Sequence, residues 1–189
     1  MTKGFYDDDI KIAPDKVSQL FKKENPVADD NIDMFFRERK LGNTQKARQF
    51  GIDMVQELKD CVWTSAPDMV NPKDFEFQLK TLFAYAVHRI LEDYSPNQIV
   101  ANAAVSSFYE NLESENYELF QKITQSPAIS LYLYMHRSGE ETPENIGKTF
   151  AGLCSTTLDE QCRTIGETAY ARFVGSIANK LASVGFVER

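Results

Sequence analysis

Apolar residues recur every three or four positions along most of this 189-residue chain. The clearest pattern lies between Pro72 and Tyr94. Its apolar positions are Phe75, Leu79, Leu82, Phe83, Ala86, Val87, Ile90, Leu91 and Tyr94. Residues three and four apart share one side of an α-helix, so the pattern predicts an amphipathic helix. Similar spacing predicts further long helices from Thr44 to about Ala66 and from about Asp159 to Val184.

Proline positions support this interpretation. Five of the seven prolines stand immediately before a segment of helical spacing: Pro14, Pro72, Pro96, Pro127 and Pro143. Proline fits the first helical turn because its missing N–H would have no intrahelical partner there and its fixed φ already suits the helix. A shorter helix is expected to begin at Asp29 or Asp30 and end at Gly42, and Ser95 with Gln98 is expected to cap the helix that follows Tyr94.

Together these segments predict an all-α protein, a bundle of about seven to nine helices in which long antiparallel helices joined by short loops surround a central apolar helix. Residues 1–13 are expected to form a loosely ordered leader and residues 14–189 a single domain. The segment 97–113 is apolar or small almost all round, so we expect protein on every side of it. For residues 128–136 the short aromatic run leaves either a strand or a helix open, and the Ser126-Pro127 start favours the helix.

The last long helix has two faces that protein could cover. One carries large apolar residues, and the roughly opposite one carries small residues. The small residues are Ala171, Gly175, Ala178 and Ala182. Small residues let another helix approach closely, so this face is a candidate interface, either inside the bundle or with a second copy of the chain. Lys180 falls on the apolar face and must reach either water or a carboxylate.

Charge and composition exclude several classes of function. A net charge of −7 disfavours attraction to nucleic acid or anionic lipid, and no convincing helix-turn-helix is present. Neither a secretory signal nor an apolar stretch of about 18 residues is apparent, so we expect a cytoplasmic protein that does not enter membranes. Cys61, Cys154 and Cys162 lack metal-ligand spacing and are expected to be reduced core thiols.

The only two histidines define a candidate ligand pocket. His88 shares a helix side with Tyr85 and Glu92, and His136 follows an aromatic run near Gly139. The candidate residues are Tyr85, His88, Glu92, Tyr134, His136 and Arg137. The alternatives are a solvated helix face for His88 and a partner of the helix dipole for His136 and Arg137. Glu140 and Glu141 are expected to be solvated loop charges.

One basic concentration stands out in this acidic chain and brackets the junction at Gly42 and Asn43. Its members are Arg37, Arg39, Lys40, Lys46 and Arg48. A helix N-terminus at this junction would favour an anion, whereas ordinary surface charge and dipole partners explain the same residues without a ligand.

No motif for a nucleophile, a phosphate loop or a dinucleotide is present, and no metal or cofactor is expected. The sequence therefore favours a noncatalytic binding protein that self-associates and recognises a protein or small ligand. An enzyme or small-ligand receptor, with a pocket between helices around His88 or His136, is the alternative.

Overall fold

The computed structural model describes residues 26–61, 66–67, 70–154 and 160–187, with side chains from residue 31 onward. Within these ranges the chain forms helices and no strand. The helices are α1 (Pro26–Lys40), α2 (Asn43–Asp60), α3 (Pro72–Tyr94), α4 (Gln98–Glu115), α5 (Tyr117–Gln125), α6 (Pro127–Ser138), α7 (Pro143–Cys154) and α8 (Glu160–Ser183). The predicted all-α bundle is confirmed, and residues 128–136 are helical.

The described residues divide into two units, one that ends at Arg37 and one that begins at Glu38. In the first, Ile32, Phe35 and Phe36 of α1 are exposed, and the two phenylalanine rings meet edge to face with centroids 5.8 Å apart. The predicted leader and the helix expected after Pro14 lie outside the described residues, and a single domain over 14–189 stays a prediction. Everything that follows concerns the second unit unless stated otherwise.

Local capping explains several helix starts. Pro72, Pro127 and Pro143 each open a helix as predicted. Before Pro72, the Asn71 side chain accepts a hydrogen bond from the Lys73 backbone N–H at 2.9 Å, which satisfies an amide that the first turn leaves free.

The predicted cap at Ser95 is wrong. α3 continues to Tyr94, and the Ser95 N–H donates to the Leu91 carbonyl at 3.3 Å, so Ser95 ends that helix. Asn97 starts α4 instead, because its side-chain oxygen accepts from the N–H groups of Ile99 and Val100, each at 3.1 Å.

Helix α3 is the centre of the bundle. Every residue from Thr81 to Val87 is buried, so protein surrounds this stretch on all sides. α3 packs against α2, α4, α6, α7 and α8. The expectation that residues 97–113 form the surrounded helix is wrong, because Asn102, Ser106 and Glu110 form an exposed face of α4. Alanine and serine tolerate water as well as burial, so a helix rich in them is not forced into the core.

The crossing of α2 and α4 depends on Gly51. A Cβ atom at this position would lie 2.4 Å from the Ala104 carbonyl oxygen and 2.8 Å from the Phe108 nitrogen. Beside the crossing, the Ser107 hydroxyl donates to the Arg48 carbonyl at 2.8 Å. The absent side chain thus lets two backbones touch, and α2 closes over the core.

We expect Gly51→Ala to lower the free energy of unfolding by about 1 to 3 kcal/mol, because backbone atoms cannot move aside for the added methyl group. Gly152→Ala is the matched control. Gly152 is an exposed helical glycine with no described atom within 4 Å of a built Cβ, so alanine should stabilise by up to about 1 kcal/mol. Chemical denaturation measures both. Equal effects of the same sign at the two glycines would contradict the close crossing.

Candidate functional site

A buried carboxylate lies at the junction of α3, α6 and α8. Glu141 belongs to the short connection between α6 and α7, and its side chain is only 7% exposed. The connection starts at Gly139, which takes a left-handed conformation with φ 74° and ends α6. The Glu140 N–H donates to the Met135 carbonyl at 2.9 Å, which folds the chain back toward the bundle. This turn directs the Glu141 side chain into the interior, at the junction of α3, α6 and α8.

Four side chains donate to the Glu141 carboxylate. Tyr85 of α3 contacts Oε1 at 2.8 Å, and Arg89, one turn further along α3, contacts both oxygens through Nε at 3.0 Å. His136 of α6 lies 2.6 Å from Oε2 through Nδ1. The Tyr170 hydroxyl of α8 also donates to Oε1. One carboxylate therefore ties three helices together.

A second carboxylate, Asp93, closes a ring of polar contacts. Arg89 Nη1 lies 2.6 Å from Asp93 Oδ2, and His136 Nε2 lies 3.7 Å from Asp93 Oδ1. Arg89 and His136 thus each stand between Asp93 and Glu141. We call the whole group the Glu141 cluster. Its members are Tyr85, Arg89, Asp93, His136, Glu141 and Tyr170. Asp93 forms the outer, partly exposed edge, and Glu141 forms the inner one.

The electrostatics of the Glu141 cluster favour an ionised carboxylate. Burial raises the pKa of Glu141, but the hydrogen bonds from Tyr170, Tyr85, Arg89 and His136 outweigh it and hold the pKa below its usual value. Burial, and then the hydrogen bond to Glu141, raises the pKa of the Tyr85 and Tyr170 phenols, which keeps both protonated as donors. For Arg89, burial lowers the pKa, but Glu141 outweighs it and the pKa is raised.

This arrangement acts as a clamp. A carboxylate offers about four lone-pair positions, and four side chains already donate to Glu141. To act as a base toward a substrate, Glu141 would have to release one of these donors. Its chemistry is therefore directed inward, toward holding α3, α6 and α8 in place.

The structure brings together two of the six residues predicted to line a ligand pocket. Tyr85 and His136 meet through Glu141. His88 lies elsewhere on α3, with Nε2 3.3 Å from Glu92 Oε1. Tyr134 is 67% exposed and points away from the core, and Arg137 is exposed as well.

Sequence reasoning missed four members of the Glu141 cluster: Arg89, Asp93, Glu141 and Tyr170. The expectation that Glu141 is a solvated loop charge is wrong, whereas Glu140 beside it is exposed as expected. The spacing of Arg89 and Asp93, four apart on one helix, was a usable signal for their ion pair. No local pattern marks Glu141, because its partners come from separate helices.

Two side chains in the first turn of α2 contact residues 185–187. The Asn43 side chain donates to the Val187 carbonyl and accepts from the Val187 N–H, both at 3.0 Å, and it also donates to Glu38 at 2.6 Å. Lys46 donates to the Gly185 carbonyl at 2.6 Å.

Of the other residues in the predicted anion site, Arg39, Lys40 and Arg48 are exposed, and Arg37 belongs to the first unit. The binding of an anion by this group stays a prediction.

The described residues leave most of the small-residue face of α8 uncovered. Ala171, Gly175 and Ala182 are exposed, Ala178 is half-buried, and no described atom lies within 4 Å of a Cβ built on Gly175. The face continues into a groove of about 250 Å³. The groove is lined by Tyr94, Pro96, Ala178, Leu181, Ala182, Gly185 and Phe186. Lys180, beside the groove, forms a salt bridge with Glu57 of α2. Of the two alternatives given above for this lysine, water or a carboxylate, the structure shows the carboxylate.

Among the described residues, no group of three or more His, Cys, Asp or Glu side chains is placed to hold a metal ion, and no helix combines the length and apolar character needed to cross a membrane. The chain matches no family model, and no curated protein or solved structure shows significant similarity to it.

We expect Glu141→Gln to lower the free energy of unfolding by about 2 to 3 kcal/mol, because the amide cannot accept from all four donors and leaves Arg89 without its buried counter-charge. The neighbouring substitution Glu140→Gln, at an exposed carboxylate, should change it by less than about 0.5 kcal/mol. Urea denaturation measures both. Two equally mild variants would show that the Glu141 cluster does not hold the helices.

Acid should reduce the stability that the Glu141 cluster contributes. The pKa of Glu141 is lower in the folded chain than its ordinary value of 4.5, so its contribution is complete above that value and is lost as pH falls through the folded-state pKa. The stability difference between the natural chain and Glu141→Gln should therefore narrow as pH falls from neutral toward about 3. Denaturation curves at several pH values test this, and a gap that widened in acid would contradict the lowered pKa.

Proposed function

We propose that this protein is noncatalytic and acts through binding, with self-association through the small-residue face of α8 as its main contact. The observation that carries the proposal is that Ala171, Gly175 and Ala182 are exposed on one side of a long helix whose other side is in the core. Nothing in the described part of the chain covers Gly175.

The groove beside this face supports the proposal. Tyr94 is 61% exposed and stands at its edge, with Pro96 and Phe186 nearby. Aromatic residues with one apolar and one polar side are enriched at protein interfaces. A second helix lying along Ala178 and Ala182 would cover this apolar surface at short backbone distance.

A second copy of the chain is the simplest occupant. In a two-fold dimer the same patch contacts itself, so the helix that approaches α8 would be the partner's α8, with small residues on both sides of the contact. Small residues on both helices permit a closer approach than one helix alone could provide.

The second candidate function is a small-ligand receptor or enzyme built on the Glu141 cluster. The convergence of two tyrosines, Arg89 and His136 on a buried carboxylate favours it, since perturbed pKa values often mark functional sites. The four donors already on Glu141 weigh against it, because a ligand would have to displace one of them.

The self-association proposal is tested with Gly175→Glu, which places a charged side chain at the centre of the small-residue face. Gly152→Glu, the same change at another exposed helical glycine with open space around it, is the matched control. Light scattering should give about twice the 21.5 kDa chain mass for the natural protein and for Gly152→Glu, and the single-chain mass for Gly175→Glu.

A natural protein that stays monomeric at every concentration, or a Gly175→Glu variant that keeps the dimer mass, would contradict self-association through this face. Glutamate is a better helix former than glycine, so loss of the helix is not expected to confuse the result.

A further inference from the structure

Two cysteines meet where α7 and α8 are connected. Cys154 is the last residue of α7, and Cys162 lies in the first turn of α8. The Cys154 and Cys162 side chains interact with each other, and both are reduced. Cys154 is 9% exposed and Cys162 is fully buried. The two thiols therefore form a contact pair at one end of the helix hairpin.

The packing of α7 on α8 fixes this contact. A Cβ on Gly147 would lie 2.6 Å from the Arg163 carbonyl oxygen, and a Cβ on Gly166 would lie 2.8 Å from Phe150 Cβ. Two glycines thus let the helices lie close together just beyond the thiols. Because the backbones cannot separate without losing this packing, Cys154 and Cys162 are held beside each other.

We propose that Cys154 and Cys162 form an intramolecular disulfide when the protein is oxidised by a peroxide. The disulfide would link α7 covalently to α8. This reaction is independent of the self-association proposed above, since neither thiol belongs to the small-residue face. It also departs from the expectation that all three cysteines are reduced core thiols.

The reaction balances in two steps. Cys154 loses its proton, and its sulfur attacks one peroxide oxygen; the O–O bond breaks, a sulfenic acid forms on Cys154, and the released hydroxide takes up the proton as water. Cys162 then loses its proton and its sulfur attacks the Cys154 sulfur, so that the S–O bond breaks and a second water leaves. Two thiols are oxidised and one peroxide is reduced to two waters.

Cys154 is the thiol that peroxide reaches first, because Cys162 has no exposed surface. Burial, followed by the neighbouring Cys162, raises the pKa of Cys154. The thiolate is the reacting form, so oxidation should be slow at neutral pH and should accelerate as pH rises.

The full chain, reduced and then treated with hydrogen peroxide, tests the proposal. After unfolding and alkylation, one cysteine should be labelled in place of the three present in the sequence. Cys154 and Cys162 share the tryptic peptide 149–163, which should lose two hydrogen atoms, and further cleavage after Glu160 should leave its two halves joined. The midpoint of thermal unfolding should rise by about 5 °C, as expected for closing a short loop.

Variants separate this pair from the third thiol. Cys61→Ser should keep the linkage and the shift in midpoint, whereas Cys154→Ala and Cys162→Ala should lose both. Labelling of all three cysteines after peroxide, oxidation of Cys154 only to sulfinic acid, or a disulfide that joins Cys61 residues of two chains in place of the internal linkage would each overturn the proposal. If a variant fails to fold, the labelling and peptide mass of the peroxide-treated natural chain still test the proposal.

Discussion

The complete burial of α3 between Thr81 and Val87 is the constraint from which the polar interior follows. A polar group taken out of water destabilises the fold unless it finds a hydrogen-bond partner. Thr81 satisfies this within its own helix, donating to the Phe77 carbonyl at 2.8 Å. Tyr85, one turn later and fully buried, cannot do the same, and its hydroxyl donates to Glu141. That carboxylate, shielded in turn, needs Arg89 as a counter-charge.

The polar groups of the Glu141 cluster bind one another, and this affects which functions the protein is suited to. The Glu141 cluster is engaged in joining α3, α6 and α8, so its donors and acceptors face one another. The surfaces left open are of a different kind: the exposed small-residue side of α8 and the groove that ends at Tyr94 and Phe186. Glu141 is fully engaged with its own donors, and the described residues leave the small-residue side of α8 exposed; this combination is the basis of the binding function we propose.

Individual helices show which structural features the sequence patterns predict and which they do not. The start of α3 at Pro72 follows from residues adjacent in the chain, since Asn71 caps the turn that proline opens. Helix α4 shows the limit. Its run of alanine, serine and valine indicates a helix but not which side of it is exposed to water. Small residues such as alanine and serine are found both in the core and at the surface. Asn97, not Ser95, caps that helix: Ser95 ends α3, and the Asn97 side chain accepts from the first-turn N–H groups of Ile99 and Val100.

The sequence by itself determined that this chain is helical and where most of its helices begin, because the helical period and the chemistry of a first turn are local properties read within a few residues. It also indicated the two faces of α8. Only the tertiary structure decided which helix lies at the centre, that Glu141 is buried, and that Tyr85, His136 and Tyr170 meet on it. Those contacts join residues from separate helices, and no spacing along the chain encodes how helices turn toward one another.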